Sequence, residues 1–505
     1  MYERALWVRL PCRKIYPAGM IYLANYLHEK VPAISQRMIE LSSFDKSEQF
    51  SVLKDAIQGF RPEVIFFSWR DAQNFGSGND GPTPEVVFGF YHPYSLSVFV
   101  SSIKNGLKIL WNYRENIHNN LKIINKVSKK FPSIQIVVGG TGFSLFADRF
   151  IKKMPKGTIG VIGEGENPVL KIIRGEDILD EAVIVKEKNN GIIHGKKEKY
   201  FDIKELSTVD FQYIEGIFPQ LKEYLFLPRG KFLHSDFIGV QTKRGCPYRC
   251  TFCLYNHENL EGKTVRYRPV VSVIKEIKAL KGMGMEKVWF ADAQWCPSKT
   301  GVLKAEELLD EMISANLNIR WTTYLRIDNY WTDNFIKKLI KSGIYSIDLS
   351  FHGSQKIVDI LRLEYDVEEQ IAILRKIKEY GGNDQKIRLY IPFNAPGETK
   401  ETLKKCIEKI EELYTIFGRE RVEPFVFFLG IQPDTELERQ LIKEGYLKEG
   451  YNPLTMNPFT INKLLYNPPP LGPMIAKAYL DAARRVDDPV EMGRVCINNM
   501  KKAIT

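Results

Sequence analysis

Short apolar runs alternate with helical patterns along most of the chain. In the first third, Ala5 to Leu10, Arg37 to Leu41, Val64 to Phe67, Ile134 to Val138 and Gly157 to Ile162 read as strands. Between the first two lies Gly19 to Leu27 (GMIYLANYL), whose apolar positions recur at intervals of three and four and predict a helix. Strands that alternate with helices build a parallel sheet with crossover helices, and ligands bind beyond the carboxyl ends of such strands. Residues 1–175 are therefore expected to form a Rossmann-like domain. The segment from Trp69 to about Lys122 is too long for an ordinary crossover and predicts an insertion over that same edge. In residues 176–235 the pattern changes. Ala182 to Val185 and Ile192-Ile193 flank Asn189-Asn190-Gly191, a hairpin signal, and this stretch is expected to be a linker.

From Phe237 onward the alternation returns with longer helices. Ile238 to Gln241, Lys287 to Phe290, Arg320 to Tyr324, Ser346 to Ser350, Ile387 to Ile391 and Pro424 to Leu429 are predicted strands, separated by helical runs such as Val271 to Lys281 and Lys400 to Phe417. The predicted fold class is α/β. A Rossmann-like domain precedes a partial (β/α)6 TIM-type barrel over residues 236–435, with chemistry expected at its strand ends. Residues 436–505, with Pro468-Pro469-Pro470 and a helix from Met474 to Arg484, form a small helical extension.

Composition narrows the classes. With 44% hydrophobic residues in 505, the chain buries several cores, which excludes disordered and fibrous classes. Lys plus Arg is 72 against 61 Asp plus Glu, a net +11 without a basic tail or stripe; no nucleic-acid partner is expected. Seven cysteines and no signal peptide at Met1 point to a reducing, cytoplasmic setting in which thiols serve as ligands or core residues. Val86 to Ile103 carries no charged residue and just reaches spanning length. Its Gly89, His92, Pro93 and serines argue against a transmembrane helix. A buried or mobile insertion is expected, with peripheral membrane contact as the second reading.

The strongest chemical signal is GVQTKRGCPYRCTFCLY, which follows the first strand of the second domain. Cys246, Cys250 and Cys253 lie on one loop and can face a single cubane, thiolate being the usual ligand of iron-sulfur clusters. Three ligands leave one iron open. A zinc knuckle completed by His257 is the alternative.

CPYRCTFC matches the CxxxCxΦC signature of the radical S-adenosylmethionine (SAM) superfamily, and the chain resembles that superfamily. The resemblance implies one 4Fe-4S cluster on the three cysteines and SAM at the open iron. Cleavage of SAM then gives a 5'-deoxyadenosyl radical, with an electron donor of flavodoxin or ferredoxin type. It implies that Phe252 covers the cluster and that Asp292 (WFADAQW), Arg326 (YLRID) and Ser350 (DLSFHGSQ), each at a strand end, contact SAM. An ordinary rim salt bridge is the plain alternative for Asp292 and Arg326. NAPGET, Asn394 to Thr399, is similar to the turn that approaches the adenine.

The order IVVGGTGFS, then VIGEGE, ahead of the cysteine loop resembles the subfamily with an amino-terminal cobalamin-binding domain. By that resemblance Ser68, Gly139, Gly140, Thr141, Gly163, Glu164 and Gly165 contact cobalamin. The DxHxxG motif of many such domains is absent, since LPCRKIYPAGM has no histidine. Arg70 and Asp71 of WRDAQNFG are then the candidates to face cobalt in catalysis; a helix-capping ion pair is their plain alternative. Cys12 at this edge reads as a buried thiol. The function implied is a cobalamin-dependent radical SAM C-methyltransferase acting on an unactivated carbon of a large, apolar or tetrapyrrole-like substrate, with methylcobalamin as methyl donor. Alternatives are non-methylating chemistry such as oxidative cyclisation of a tetrapyrrole or lipid carbon-carbon bond formation, a tRNA methylthiotransferase, and a non-catalytic sensor. The methylthiotransferase reading is disfavoured because residues 1–245 hold only Cys12.

Overall fold

The computed structural model describes residues 1–12, 15–70, 83–226, 237–253, 262–381, 384–452, 454, 463 and 465–504. The first sheet contains β1 (Arg4–Arg9), β2 (Ser35–Glu40), β3 (Val64–Ser68), β4 (Gln135–Gly139), β5 (Ile159–Val161), β6 (Val183–Lys186) and β7 (Ile192–His194). Its order is β2-β1-β3-β4-β5-β6-β7, parallel through β5 and antiparallel thereafter. Side chains alternate between two cores. Ala5, Trp7, Val64, Phe66 and Val137 face the layer of α1 (Ala18–Lys30), while Leu6, Val8, Ile65, Phe67 and Val138 face that of α2 (Gln49–Phe60). Both faces are covered, so the central strands β1, β3 and β4 read as apolar runs.

The expected hairpin is present, turning at Asn190 with φ +73°, where the Gly191 amide donates to Asn189 Oδ1. Its first strand pairs with β5, so it continues the first sheet. The expected insertion is helical. It forms α3 (Thr83–Tyr91) and then α4 (Leu96–Lys130), a crossover helix of 35 residues started by Ser95, whose hydroxyl accepts from the Val98 amide. Val86, Val87 and Phe88 of α3 are buried. Short helices α5 (Thr141–Leu145) and α6 (Ala147–Ile151) follow β4, and α7 (Glu166–Arg174) follows β5. After the hairpin come α8 (Phe211–Ile217) and α9 (Leu221–Phe226).

The second sheet holds six parallel strands: β8 (Ile238–Val240), β11 (Lys287–Phe290), β12 (Arg320–Leu325), β13 (Ile344–Ser350), β14 (Lys386–Pro392) and β15 (Val422–Phe427), in the order β15-β14-β13-β12-β11-β8. Between the first two lies an antiparallel ribbon of β9 (Lys243–Arg244) and β10 (Arg266–Tyr267). The outer layer is α10 (Val270–Gly282), α11 (Ser298–Ser314), α12 (Asp333–Lys341), α13 (Gln355–Ile360), α14 (Val367–Glu379) and α15 (Lys400–Phe417). Among the described residues β8 and β15 do not pair, so the barrel is open, as a partial barrel requires. The edge strand β15 tolerates Pro424, which lacks an N–H. The extension contributes α16 (Glu436–Lys443), α17 (Gly472–Ala483) and α18 (Pro489–Ile504). At Gly493 the α18 backbone rides so closely on Pro424 that a Cβ would collide with its carbonyl oxygen. Phe88 of the insertion wedges between Phe428 at the end of β15 and Tyr479 of α17, with centroids 4.5 and 5.7 Å away. The insertion thus covers the carboxyl end of the last barrel strand. No described helix is long and apolar enough to cross a membrane.

Candidate active site

The loop carrying Cys246, Cys250 and Cys253 is pinned from several sides. Pairing of Arg244 with Arg266 and of Lys243 with Tyr267 draws its start against residues 262–267. Gly245 has φ +87°, and a Cβ there would collide with the Thr264 carbonyl oxygen, so only glycine serves. The Cys246 amide donates to Gly262 O at 3.1 Å. Thr251 donates to Leu361 O at the end of α13 and accepts from the Leu437 amide of α16. Lys243 Nζ donates to Gly245 O at 2.7 Å. Phe252 packs, with Cys250, against the apolar cluster of Ile357, Leu361 and Leu437. The three thiols are half-buried. Burial pushes the Cys250 thiol up to about 12, and the neighbouring charges of Cys253 and Cys246 add to that shift. Cys246 and Cys253 thus lie within electrostatic reach of Cys250, and a cationic centre is what makes thiolates favourable there. Three grouped soft donors fit an iron-sulfur cluster. Among the described residues no three His, Cys, Asp or Glu side chains are grouped so as to hold a single metal ion, and His257 lies outside them.

The strand-end residues expected at SAM have different surroundings. Asp292, just past β11, is buried and accepts from the amides of Thr242 (3.0 Å) and Lys243 (3.2 Å) and from the Thr242 hydroxyl. Its carboxylate holds the exit of β8. Burial drives its pKa up to about 6, with Lys243 and the hydrogen bonds opposing. Arg326 lies 3.6 Å from the centroid of Tyr248, inside the cysteine loop, and pairs with Asp328 at 2.6 Å. Its Nε is buried with no hydrogen-bond partner. Ser350 ends β13 half-buried, opposite Tyr390. In NAPGET, Glu398 pairs at 3.0 Å with Nε2 of His352, both fully buried. Because His352 Nδ1 accepts from the Ser354 amide, Nε2 is the donor. Asn394 donates to Asn467 and Pro468 O, so this turn also ties down the carboxyl-terminal segment.

At the first sheet's carboxyl edge, the register Arg9–Ser68–Gly139 aligns three adjacent strand ends. Ser68, Gly139 and Gly163 are half-exposed and Thr141 is exposed. Gly140 has φ +97°, and a Cβ there would lie 2.7 Å from Trp69 O, so the close approach it permits is to protein backbone. Trp69 is buried against Phe150, ring centroids 4.3 Å apart, and its indole N–H has no hydrogen-bond partner among the described residues. A half-exposed row of small residues beside an orphaned donor fits a bulky polar group at this edge. Arg70 is half-buried here, and Asp71 and Gln73 lie outside the described residues.

VIGEGE has another role. Glu164 pairs with Arg266 (2.8 Å), Lys197 (3.1 Å) and Arg244 (3.4 Å), and Glu166 accepts from Arg244 at 3.0 Å. Burial opposes the charge of Glu164, but these cations hold its carboxyl below the usual range. A Cβ on Gly165 would lie 3.1 Å from Leu23, so that glycine packs against α1. Glu164 and Gly165, expected at cobalamin, make these protein contacts, and the two acids clamp the strand that leads into Gly245-Cys246. A second tie runs from Tyr22 of α1, which donates to Glu276 at 2.7 Å and accepts from the Gln241 amide, while Arg268 pairs with Glu276 at 2.6 Å. Sequence reasoning missed Arg244, Tyr248 and Tyr22; the GEGE acids and the Lys-Arg before Gly-Cys were the available signals.

A cysteine loop at the carboxyl end of the first strand in an open parallel barrel places soft donors where such folds hold their chemistry. Residues 240–410 match the model of the Radical SAM superfamily, and the chain carries that enzyme domain. Among curated relatives, a methylthiotransferase-like protein of Methanocaldococcus jannaschii is 26% identical over 302 residues, 56% of this chain and 58% of its own length. The anaerobic magnesium-protoporphyrin IX monomethyl ester cyclase of Rubrivivax gelatinosus is 23% identical over 264 residues, covering 50% and 44%. The chain thus spans about half the length of these curated relatives. The fold extends further than that. The radical S-adenosylmethionine methyltransferase TsrM from Kitasatospora setae, solved with cobalamin and a 4Fe-4S cluster bound, has a TM-score of 0.65 at 17% identity, over 98% of this chain and 85% of that one.

Proposed function

We propose that the chain is a cobalamin-dependent radical SAM enzyme that methylates an unactivated carbon. The observation that carries this reading is the loop of three half-buried thiols at the end of β8, in a chain whose fold parallels that of TsrM. When bound, a cluster on Cys246, Cys250 and Cys253 supplies an electron to SAM at an iron without a protein thiolate, and cobalamin at the edge of the first sheet supplies the methyl group. The chain's own residues then have defined tasks. Arg326, braced by Asp328 and stacked on Tyr248, offers its unpaired Nε–H to the SAM carboxylate. Ser350 offers a hydroxyl at the next strand end. Asp292 holds Thr242 and Lys243 so that the loop starts in one place. Ser68, Gly139, Thr141 and Gly163 border the corrinoid, and Phe88 with α3 shields the barrel end from water.

The test is anaerobic reconstitution with iron, sulfide, hydroxocobalamin and dithionite. Formation of 5'-deoxyadenosine that is lost on Cys250→Ala supports the reading; zinc at the loop, or turnover indifferent to that substitution, overturns it. A second reading, oxidative cyclisation of a tetrapyrrole, is favoured by the similarity to the cyclase over half of this chain. Product mass separates the two, since only methylation adds a group carrying label from methyl-labelled methionine.

A further inference from the structure

One surface is unaccounted for by this chemistry. On α4, Leu96, Val100, Ile103, Leu107 and Trp111 are 78, 56, 37, 59 and 65% exposed. At one residue per 100° these five fall within an arc of about 80°, a stripe about 22 Å long on one helix face. Hydrophobic side chains scattered singly need no explanation, whereas five in register do. Charge along the part of the helix that carries the stripe is of one sign. From Val86 to Arg114 the sequence has no Asp or Glu, and exposed Lys104 and Lys108 lie on one flank of the stripe. At its start the Tyr94 ring is held by Lys477, 4.9 Å from the centroid, and by Arg484, which donates to the hydroxyl. Asp481 is the acid beside them, paired with Lys477.

We propose that this face of α4 docks on an anionic lipid bilayer. An apolar stripe with a large aromatic residue and flanking lysines lies in the interface between headgroups and acyl chains, apolar side down and ammonium groups at phosphate level. A second copy of the chain is a poorer occupant. Pairing the stripe with itself would bring its like charges together. The same helix follows α3, which caps β15, so docking sets the covered end of the barrel beside the membrane, where an apolar substrate would be met.

Flotation of the full-length chain with vesicles of phosphatidylcholine, alone or mixed with phosphatidylglycerol, tests this without any cofactor. Binding to the mixed vesicles only, weakening as salt is added, is expected. Replacing both lysines (K104Q/K108Q) lowers the partition coefficient roughly 25-fold, each lysine near an anionic surface being a factor of about 5. L107S/W111S abolishes flotation while the circular dichroism spectrum and melting temperature stay unchanged, both side chains being exposed; Leu179→Ser, an exposed leucine elsewhere, leaves binding intact. Flotation with neither vesicle, equal flotation with both, or a dimer in sedimentation that L107S/W111S splits would overturn the proposal.

Discussion

Replacing Arg244 by glutamine removes the cation that joins the two domains immediately before the cysteine loop. Arg244 is 9% exposed at its side chain and faces Glu166 at 2% and Glu164 at 5%. Glu164 keeps Arg266 and Lys197, whereas Glu166 is left buried with its Arg244 ion pair gone. Removing one member of a buried pair costs about 3–5 kcal/mol, because the remaining charge stays desolvated. Spread over a domain of some 200 residues this lowers the melting temperature by roughly 7–12 °C, taking about 2.1 cal/mol/K per residue for the unfolding entropy. The double variant E166Q/R244Q removes the stranded charge as well. It should recover a large part of the loss, so the two substitutions are strongly non-additive. Cluster content gives a second readout: R244Q should hold substantially less iron per chain after reconstitution, since Gly245 and Cys246 follow the clamped residue directly. Additive losses in the cycle, or R244Q melting with wild-type iron at the wild-type temperature, would refute the clamp.

Gly245→Ala places a Cβ against the Thr264 carbonyl at φ +87° and should lose iron binding outright, measured by absorption after reconstitution. Asp292→Asn addresses the buried carboxyl with pKa about 6. That pKa is raised above the unfolded value, so the folded state holds the proton more tightly and wild-type stability falls by about 2 kcal/mol as pH rises from 4 to 6. The asparagine variant lacks that slope, and melting temperatures across this window show whether it does. Glu164→Gln has the opposite sign. Its carboxyl is held below the usual range, so the stability it contributes is present at neutral pH and lost as pH falls through the folded pKa. Wild type and E164Q should differ at pH 7 and converge in acid. Phe88→Ala vacates a fully buried ring between Phe428 and Tyr479 and should cost about 3–5 kcal/mol, read as increased protease cleavage in α3.

What was legible in the sequence follows from what is local. The central strands of the first sheet read clearly because they are covered on both faces, which leaves unbroken apolar runs such as Val64 to Phe67, and Ile387 to Ile391 reads clearly because its apolar residues alternate about Arg388 and Tyr390. The cysteine spacing read clearly because cluster chemistry is confined to one loop. The hairpin at Asn190 was also legible, but its pairing to β5 was not, since a turn signal says nothing about which edge its strands will join. The same holds for VIGEGE. Glycines and acids at a strand end look alike whether they meet a cofactor or a cation some 80 residues on, and only the fold brings Arg244 to Glu166. Asp292 is the mirror case, right in its place at a strand end, yet turned toward the backbone of residues 242 and 243.

These non-local contacts converge on one place. The chain entering the loop is held by Glu164, Glu166 and Asp292; Thr251 within it is held by Leu361 and Leu437. Those anchors come from the first domain, from β11, from α13 and from the extension after the barrel. A loop in which burial, and after it the charges of Cys253 and Cys246, disfavours the Cys250 thiolate does not organise itself before a cation arrives. The surrounding domains supply that order in advance, so the thiols meet an incoming cluster with less conformational freedom left to lose. That is a physical reason for the front domain and the extension to be joined to the barrel by buried ion pairs and backbone hydrogen bonds rather than by a flexible tether.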